Sequence, residues 1–210
     1  MSLLIPSSLT TLEKVKMYIP NLSEPSQEDQ QLRGMISAVS MRFDNHTHRK
    51  LKSRTYKPSG ANTTNGEENL KLNGTKRLSS TRYMLPHCPV TNIASCVIRD
   101  RNMTVVKTLD IATDTVFDPD TGIVELIDGD VWELGVQNIE MTWTAGFTPV
   151  PNDLEMACIM QTLNDYFVVN RNRLGITAIT VEGETTSVEN KTLLNRVKGI
   201  LENYVLPYSG

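Results

Sequence analysis

The sequence has few cysteines and no long apolar run, and both shortages exclude classes of protein. Cys88, Cys96 and Cys158 are odd in number and form no Cys-x-x-Cys pair, so neither a disulfide framework nor a zinc site is expected. No apolar stretch approaches the roughly 20 residues of a membrane helix. Residues 1–6 lack the basic and apolar regions of a signal peptide. We therefore expect an intracellular protein that does not bind a membrane.

Sequence motifs for catalysis and metal binding are also missing. There is no Gly-rich phosphate loop, Gly-x-Ser-x-Gly turn or His-Glu-x-x-His helix. His46 and His48 lie two residues apart and cannot hold one metal ion from one helix face. Asp118 and Asp120 resemble the start of a calcium loop, but no Glu follows at its twelfth position. These absences leave no residue set that argues for an enzyme, and no metal site is expected.

The charge is distributed unevenly in a chain of ordinary globular composition. The 210 residues are 39% hydrophobic and 21% charged, with a net charge of −3, which predicts one domain with an inserted subdomain. Residues 42–82 carry ten Lys/Arg against three Asp/Glu, a net charge of +7. Residues 100–140 carry ten Asp/Glu against two Lys/Arg, a net charge of −8. These basic and acidic blocks either mark surfaces where a partner binds or cover solvated loops and strands.

Apolar residues at helical spacing predict helices at both ends of the chain. Thr10 and Glu13 form a capping-box pattern, and Pro20 ends the short helix that follows. Ser26 can cap a second helix, whose apolar stripe repeats every three or four residues: Leu32, Ile36, Val39 and Phe43. A third helix is predicted from Asn152, and a fourth from Val188 until Pro207.

The middle of the chain predicts strands and a long loop. Apolar residues alternate with polar ones in four segments: Val90–Ile98, Thr104–Ile111, Gly122–Ile127 and Ile139–Phe147. From Asn45 to Ser80 the periodicity fails, which predicts a mobile loop with at most one short strand at Leu70 and Leu72. The prediction is an α+β fold in which an antiparallel helical core of about four helices (residues 1–44 and 148–210) carries a basic loop-rich segment (45–84) and an inserted antiparallel β-subdomain (85–147).

A set of Trp, Gly, Pro and Asn residues has a structural interpretation. Gly146 permits a sharp exit from the last strand, and Trp143 before it is large enough to pack between sheet and helices. Pro149 and Pro151 then delay the next helix until Asn152. The whole ordered set comprises Pro86, Pro89, Trp132, Gly135, Asn138, Trp143, Gly146 and Pro151.

In this order and spacing, together with the opening helix at Leu12, Val15 and Tyr18, these residues resemble the head–tail adaptor (connector) proteins of tailed bacteriophages and similar proteins of gene-transfer particles. The resemblance implies a structural virion protein of the neck, with no catalysis and no cofactor, present in the host cytoplasm during assembly. Such adaptors form a ring, commonly of twelve copies, beneath the portal protein. The ring extends the channel, through which DNA passes without sequence-specific contact. It also docks the next head-completion, stopper or tail protein.

Two alternatives to the adaptor come from other classes of protein. The acidic strands could belong to a β-sheet ligand-binding module or an accessory domain. The basic block could bind nucleic acid, although it lacks interleaved aromatic residues for base stacking.

The resemblance suggests two assembly surfaces. The closing helix either docks on the portal or only completes the helical core, through Leu194, Val197, Leu201, Tyr204 and Val205. A ring uses heterologous contacts, in which two different patches meet. We therefore expect Arg49, Lys50, Lys52 and Arg54 to face Asp128, Asp130 and Glu133 of the next subunit. The competing role of the basic residues is to face DNA in the channel.

Overall fold

The computed structural model describes residues 6–20, 28–64, 66–74, 81–100, 102–127, 129–170, 178–181, 184–187 and 192–206. The chain divides into two compact units. Unit 1 comprises Met1–His48 and Pro149–Gly210, and unit 2 comprises Arg49–Thr148. None of the described helices has the length and hydropathy needed to cross a membrane.

The described part of the chain contains five helices and eleven strands. The helices are α1 (Leu12–Lys16), α2 (Glu28–Thr47), α3 (Ile111–Asp114), α4 (Asn152–Asn170) and α5 (Asn195–Glu202). The strands are β1 (Arg54–Pro58), β2 (Glu67–Leu70), β3 (Leu72–Gly74), β4 (Arg82–Met84), β5 (Val90–Arg99), β6 (Val105–Leu109), β7 (Thr115–Phe117), β8 (Ile123–Leu126), β9 (Gly135–Ala145), β10 (Ala178–Val181) and β11 (Glu184–Ser187).

The core of unit 1 lies around the apolar stripe of α2. The four predicted stripe residues, Leu32, Ile36, Val39 and Phe43, are all fully buried, which confirms that prediction. Leu32 and Ile36 belong to an apolar cluster with Val15 of α1 and Ile159 of α4. Spacing along one helix identified the buried face because every third or fourth residue lies on the same side.

Two predicted helix starts in unit 1 are wrong. Thr11 caps α1, with its Oγ1 atom 3.5 Å from the Lys14 nitrogen that donates to it. Thr10 instead donates a hydrogen bond from Oγ1 to the Glu155 side chain on α4, at 3.3 Å. The last helix begins at Asn195, and β10 and β11 form an antiparallel pair earlier in the chain. Ser26 and Val188, from which the second and fourth helices were predicted to begin, lie outside the described residues.

Unit 2 is organised around β9. The strand order of its main sheet is β2-β1-β9-β5-β6, with β3 also paired to β9, and a second sheet has the order β4-β8-β7. The β5–β9 pairing runs from Val90 opposite Ala145 to Ile98 opposite Ile139. The predicted strands of the β-rich region correspond to β5, β6, β8 and β9, with ends shifted by a few residues.

The α+β class is confirmed, but its details differ from the prediction. The described helices number five, and α3 lies in the β-rich unit. The strands are not all antiparallel, because β1 and β2 run parallel with Thr55 opposite Glu67. Where a loop with one short strand was expected, the chain forms β1, β2 and β3. Their partners are distant in sequence, as Leu72 opposite Ile139 shows, so local periodicity carried no signal.

The parallel pair is joined by residues 59–66, a shorter connection than the dozen or so residues usual for parallel strands. Polar contacts hold this connection against the strands. Lys57 donates from Nζ to the Asn62 carbonyl at 3.2 Å and to Glu67 at 2.8 Å. Glu67 also accepts from the Thr64 nitrogen at 2.6 Å. The Lys57 and Thr64 bonds lower the pKa of Glu67 to about 2.

Candidate functional site

The Trp-Gly-Asn motif of unit 2 forms a buried hydrogen-bond network around Asn138. Its Oδ1 atom accepts from the Gly74 nitrogen at 2.8 Å. Its Nδ2 atom donates to the carbonyls of Arg99 at 3.1 Å and Glu133 at 2.8 Å. One fully buried amide therefore joins β3, the end of β5 and the segment before β9. Each of the three bonds engages a backbone group, so this one amide holds the three segments in place relative to one another.

The glycines beside Asn138 are required by close approach. A Cβ atom on Gly135 would lie 2.7 Å from Cγ of Asn138, and one on Gly74 would lie 1.8 Å from the Glu133 carbonyl oxygen. Trp132 donates from Nε1 to the Thr81 carbonyl at 3.1 Å. The sequence predicted a structural motif at Trp132, Gly135 and Asn138. It did not predict that Gly74 and Arg99 take part, because no local pattern around either residue indicates a contact with Asn138, which is distant in sequence.

Trp143 lies in the core of unit 2 and belongs to an aromatic stack. Its ring stacks on Tyr56 at 4.9 Å between centroids, and Tyr56 stacks on His87 at 4.8 Å. Trp143 and Tyr56 are fully buried and lie opposite each other in the β1–β9 pairing. Burial lowers the pKa of His87 to about 4, so this side chain is neutral at pH 7. Tyr56 was not identified from the sequence, because a single aromatic residue in a basic segment gives no periodic signal.

The segment that follows β9 contains Gly146 of the predicted structural motif and Phe147, which contacts Arg49 of the predicted intersubunit contact. Gly146 has a φ of 106°, and a Cβ atom there would lie 2.7 Å from the Lys52 carbonyl oxygen. Its nitrogen donates to the Pro89 carbonyl at 2.8 Å. The guanidinium of Arg49 lies 5.2 Å from the centre of the Phe147 ring. Arg49, predicted for an intersubunit contact, therefore also contacts its own chain.

The remaining prolines of the motif lie at element boundaries. Pro86 is exposed in the segment between β4 and β5. Pro151 directly precedes α4, and its carbonyl accepts from the Glu155 nitrogen at 2.9 Å in the first turn. Both positions agree with a structural role.

Several residues of the two charge blocks form ion pairs within unit 2. Arg54 pairs with Glu68, and Asp130 pairs with Lys107. Glu133 is exposed, and Asp128 lies outside the described residues. Lys50 and Lys52 are partly exposed. Arg54 and Asp130, both proposed for the contact between subunits, thus each pair with an opposite charge inside unit 2.

The strand order brings the two charge blocks together at β9. β1 and β3 belong to the basic block and pair with β9, whose residues 135–140 belong to the acidic block. At the two ends of the order, β2 carries Glu67 and Glu68, and β6 carries Lys107. Linear segregation of charge therefore does not become segregation between the two ends of the main sheet.

The closing helix and the residues beside it include both buried residues of the unit 1 core and partly exposed residues. Val197 and Leu201 are fully buried within unit 1, whereas Leu194, Tyr204 and Val205 are partly exposed. The Tyr204 hydroxyl donates to Asp153 Oδ1 at 2.7 Å. Gln161 of α4, also fully buried, accepts from the Leu194 nitrogen at 2.9 Å at the start of α5. The five predicted residues therefore do not form one exposed face.

The cysteines have the character of buried apolar residues. Burial raises the pKa of Cys96 and Cys158 to about 12, and it also raises the pKa of Cys88. These thiols are protonated at neutral pH, and a protonated thiol is a poor nucleophile and metal ligand. In the part of the chain that the structure describes, no three His, Cys, Asp or Glu residues are grouped so as to hold a metal ion.

Comparison with known proteins gives matches along nearly the whole chain. A model of the head completion protein family matches residues 8–205. No curated protein matches. Among solved structures, a chain from the neck of an empty gene transfer agent (GTA) particle, computed with C6 symmetry, aligns with a TM-score of 0.61 at 16% identity, covering 98% of this chain and 93% of that one.

Two further solved structures have the same fold. A chain from the virion of a native gene transfer agent particle has a TM-score of 0.61 at 15% identity, covering 96% of this chain and 91% of the other. A chain from the neck of a native GTA particle, computed with C12 symmetry, has a TM-score of 0.57 at 14% identity, covering 98% and 92%. The similarity thus includes both units and is not confined to one of them.

Proposed function

Because the chain belongs to the head completion protein family and is a structural virion protein rather than an enzyme, we propose that it is the neck adaptor that joins the portal of a DNA-filled head to the next neck or tail protein. The observation that carries this proposal is the family match over residues 8–205. The aligned chains from two neck structures and one virion structure support it, since each is covered over more than nine tenths of its length. In this role the chain acts in the virion neck after assembly in the host cytoplasm.

The direct test uses particles that lack this chain. Purified protein is added to DNA-filled heads from a strain with the gene deleted, and tail attachment is scored by electron microscopy and DNA delivery. Restoration of tailed, active particles is the expected result. If heads made without the chain carry tails and deliver DNA normally, the adaptor role is wrong.

A ring is the assembly that this role requires. Two of the similar neck structures were computed with C6 and C12 symmetry, which supports a ring of twelve copies around a channel for non-specifically held DNA. A ring uses two different surfaces of each subunit. The two ends of the main sheet, β2 and β6, are two such different surfaces.

The charge contact between subunits is proposed to involve Arg49, Lys50, Lys52 and Arg54 against Asp128, Asp130 and Glu133. The test reverses Lys50 and Lys52 and leaves Arg54, which pairs with Glu68 within unit 2, unchanged. Lys50→Glu with Lys52→Glu should slow ring assembly, and Glu133→Lys in the same chain should restore it. Exposed pairs contribute at most about 1 kcal/mol each, so register and assembly rate should change more than affinity. Absence of rescue would favour a DNA-facing role for the basic block.

Portal docking is proposed for the exposed part of the closing segment. Since Val197 and Leu201 are buried in unit 1, the docking residues are Leu194, Tyr204 and Val205. Leu194→Ser with Val205→Ser should reduce binding to portal-bearing heads while the melting temperature stays close to wild type. Val197→Ala is the matched control and should lower the melting temperature. If the double variant binds heads like wild type, α5 has only a core role.

A further inference from the structure

The edge strand β6 has an unusual surface for a soluble chain. Within the described residues it pairs only with β5, so its other edge presents unpaired backbone groups. Val105 is 48% exposed and Val106 is 53% exposed on this strand. An apolar, unpaired edge strand is a template for pairing with another chain.

The charge that could protect this edge is already used within unit 2. Soluble proteins often place a lysine on an edge strand to prevent pairing, and Lys107 lies at the centre of β6. Its Nζ atom contacts Asp130 and lies 3.6 Å from Asp114. Val131, which follows Asp130, is 46% exposed. The edge therefore presents exposed valines beside a lysine that already has two carboxylates of unit 2 near it.

The opposite end of the strand order offers a different edge. Within the described residues β2 pairs only with β1, and it is four residues long against five for β6. Its end is followed by the exposed cation Lys71, whereas β6 is flanked by Asp100 and Asp110. The two edges are thus of similar length, and the charged side chains on the strands themselves are paired within unit 2: Glu67 with Lys57 and Glu68 with Arg54 on β2, and Lys107 with Asp130 on β6.

We infer that β6 of one subunit pairs with β2 of the next, so that the main sheets join edge to edge around the assembly. The inference rests on the proposed ring, because a ring needs two different edges, whereas a two-fold dimer would pair β6 with itself. Strand pairing would satisfy the backbone groups of both edges and bury Val105 and Val106. A pairing of four residues covers less than the roughly 800 Å² per partner of a stable interface, so its main effect is to set the register of the subunits.

Cysteine cross-linking tests the contact directly. Paired strands lie about 5 Å apart, within the range of a disulfide, whereas β2 and β6 of one sheet are separated by three intervening strands. Val106→Cys combined with Asn69→Cys, or with Leu70→Cys to sample the register, should give a ladder of covalent multimers on non-reducing gels of assembled particles. The native cysteines are buried and give a low background. The control pairs Asn69→Cys with Val116→Cys, an exposed valine of β7, and should give no ladder.

A second variant tests the energetic role of the edge. Val105→Lys with Val106→Lys should reduce incorporation into particles at least tenfold, while Val116→Lys leaves it unchanged. Both variants change exposed side chains and should melt like wild type. If wild-type protein joins the heads but neither cysteine pair gives a ladder, the edge pairing is overturned and the adaptor role stands. If wild-type protein fails to join the heads, the adaptor role itself fails, and the edge inference with it.

Discussion

The two units obtain their cores in different ways. In unit 1, α2 contributes Leu32, Ile36 and other residues that are close in sequence and lie on one helix face. In unit 2, Asn138 bonds to Gly74, 64 residues away, and Trp143 stacks on Tyr56 from a distant strand. The comparison teaches that the helical unit depends on apolar area, whereas the β-rich unit also depends on a few polar and aromatic contacts with specific geometry.

The largest effect is expected from removing the centre of the aromatic stack. Trp143→Ala should lower the free energy of unfolding by about 3–5 kcal/mol, because a large fully buried ring is replaced by a cavity. Leu32→Ala on α2 is the matched change in unit 1, with an expected loss of about 2–5 kcal/mol. Urea denaturation measures both. A loss below 1 kcal/mol for Trp143→Ala would mean that the stack does not hold unit 2 together.

Next in size is the loss of the polar network. Asn138→Ala leaves the Gly74 nitrogen and the carbonyls of Arg99 and Glu133 without their side-chain partner. Each unsatisfied buried group costs about 1–3 kcal/mol, and the costs are not additive, so we expect a total of about 3 kcal/mol. Gln161→Ala in unit 1 is the control, because this buried amide has only two described bonds, to Leu194 and Asp165. An equal or larger loss for Gln161→Ala would contradict the contrast between the units.

A smaller effect is expected from acid, and it should come from unit 2. The folded pKa of His87 is about 4, against an ordinary value of 6.5, because burial disfavours the charged ring. The unfolded chain therefore binds a proton more readily between these values, and stability should fall as the pH drops from 6.5 to 4. Melting temperatures over this range measure the slope, and His87→Phe should reduce it. The same slope in His87→Phe would assign the acid sensitivity to other groups.

The smallest effects are expected from surface ion pairs, and they should be similar in the two units. Arg99 contacts Glu140 at 2.9 and 3.0 Å across β5 and β9, and Lys14 contacts both oxygens of Glu155 at 2.7 Å between α1 and α4. Double-mutant cycles should give coupling energies of about 0.2–1 kcal/mol for each pair, decreasing with added salt. Coupling above about 2 kcal/mol for Arg99 and Glu140 would make this pair part of the specific contacts of unit 2.

Much of unit 1 and the strands after residue 89 could be predicted from the sequence. The stripe of α2, the start of α4 at Asn152 and the alternation of β5 and β9 all follow from spacing within one element. The strands β1 to β3 could not be predicted in this way. They are short and polar; β1 and β3 are stabilised by partners on β9 that lie far away in sequence, and β2 pairs with β1. The prediction of Thr10 as a helix cap failed for a similar reason. Its hydrogen bond goes to Glu155 on another helix, α4, which is distant in sequence.

The candidate assembly surfaces, too, were predicted in part from the sequence and in part only from the folded structure. The sequence by itself determined the family resemblance, the two charge blocks and the apolar residues of the closing helix, because each depends only on residue order. The tertiary structure alone decided that Val197 and Leu201 are buried, that Arg54 and Asp130 already have ion-pair partners, and that β2 and β6 are the two ends of one sheet. The physical reason is that exposure and pairing depend on which distant residues share a neighbourhood, and strand order, which is nonlocal, decides this in unit 2.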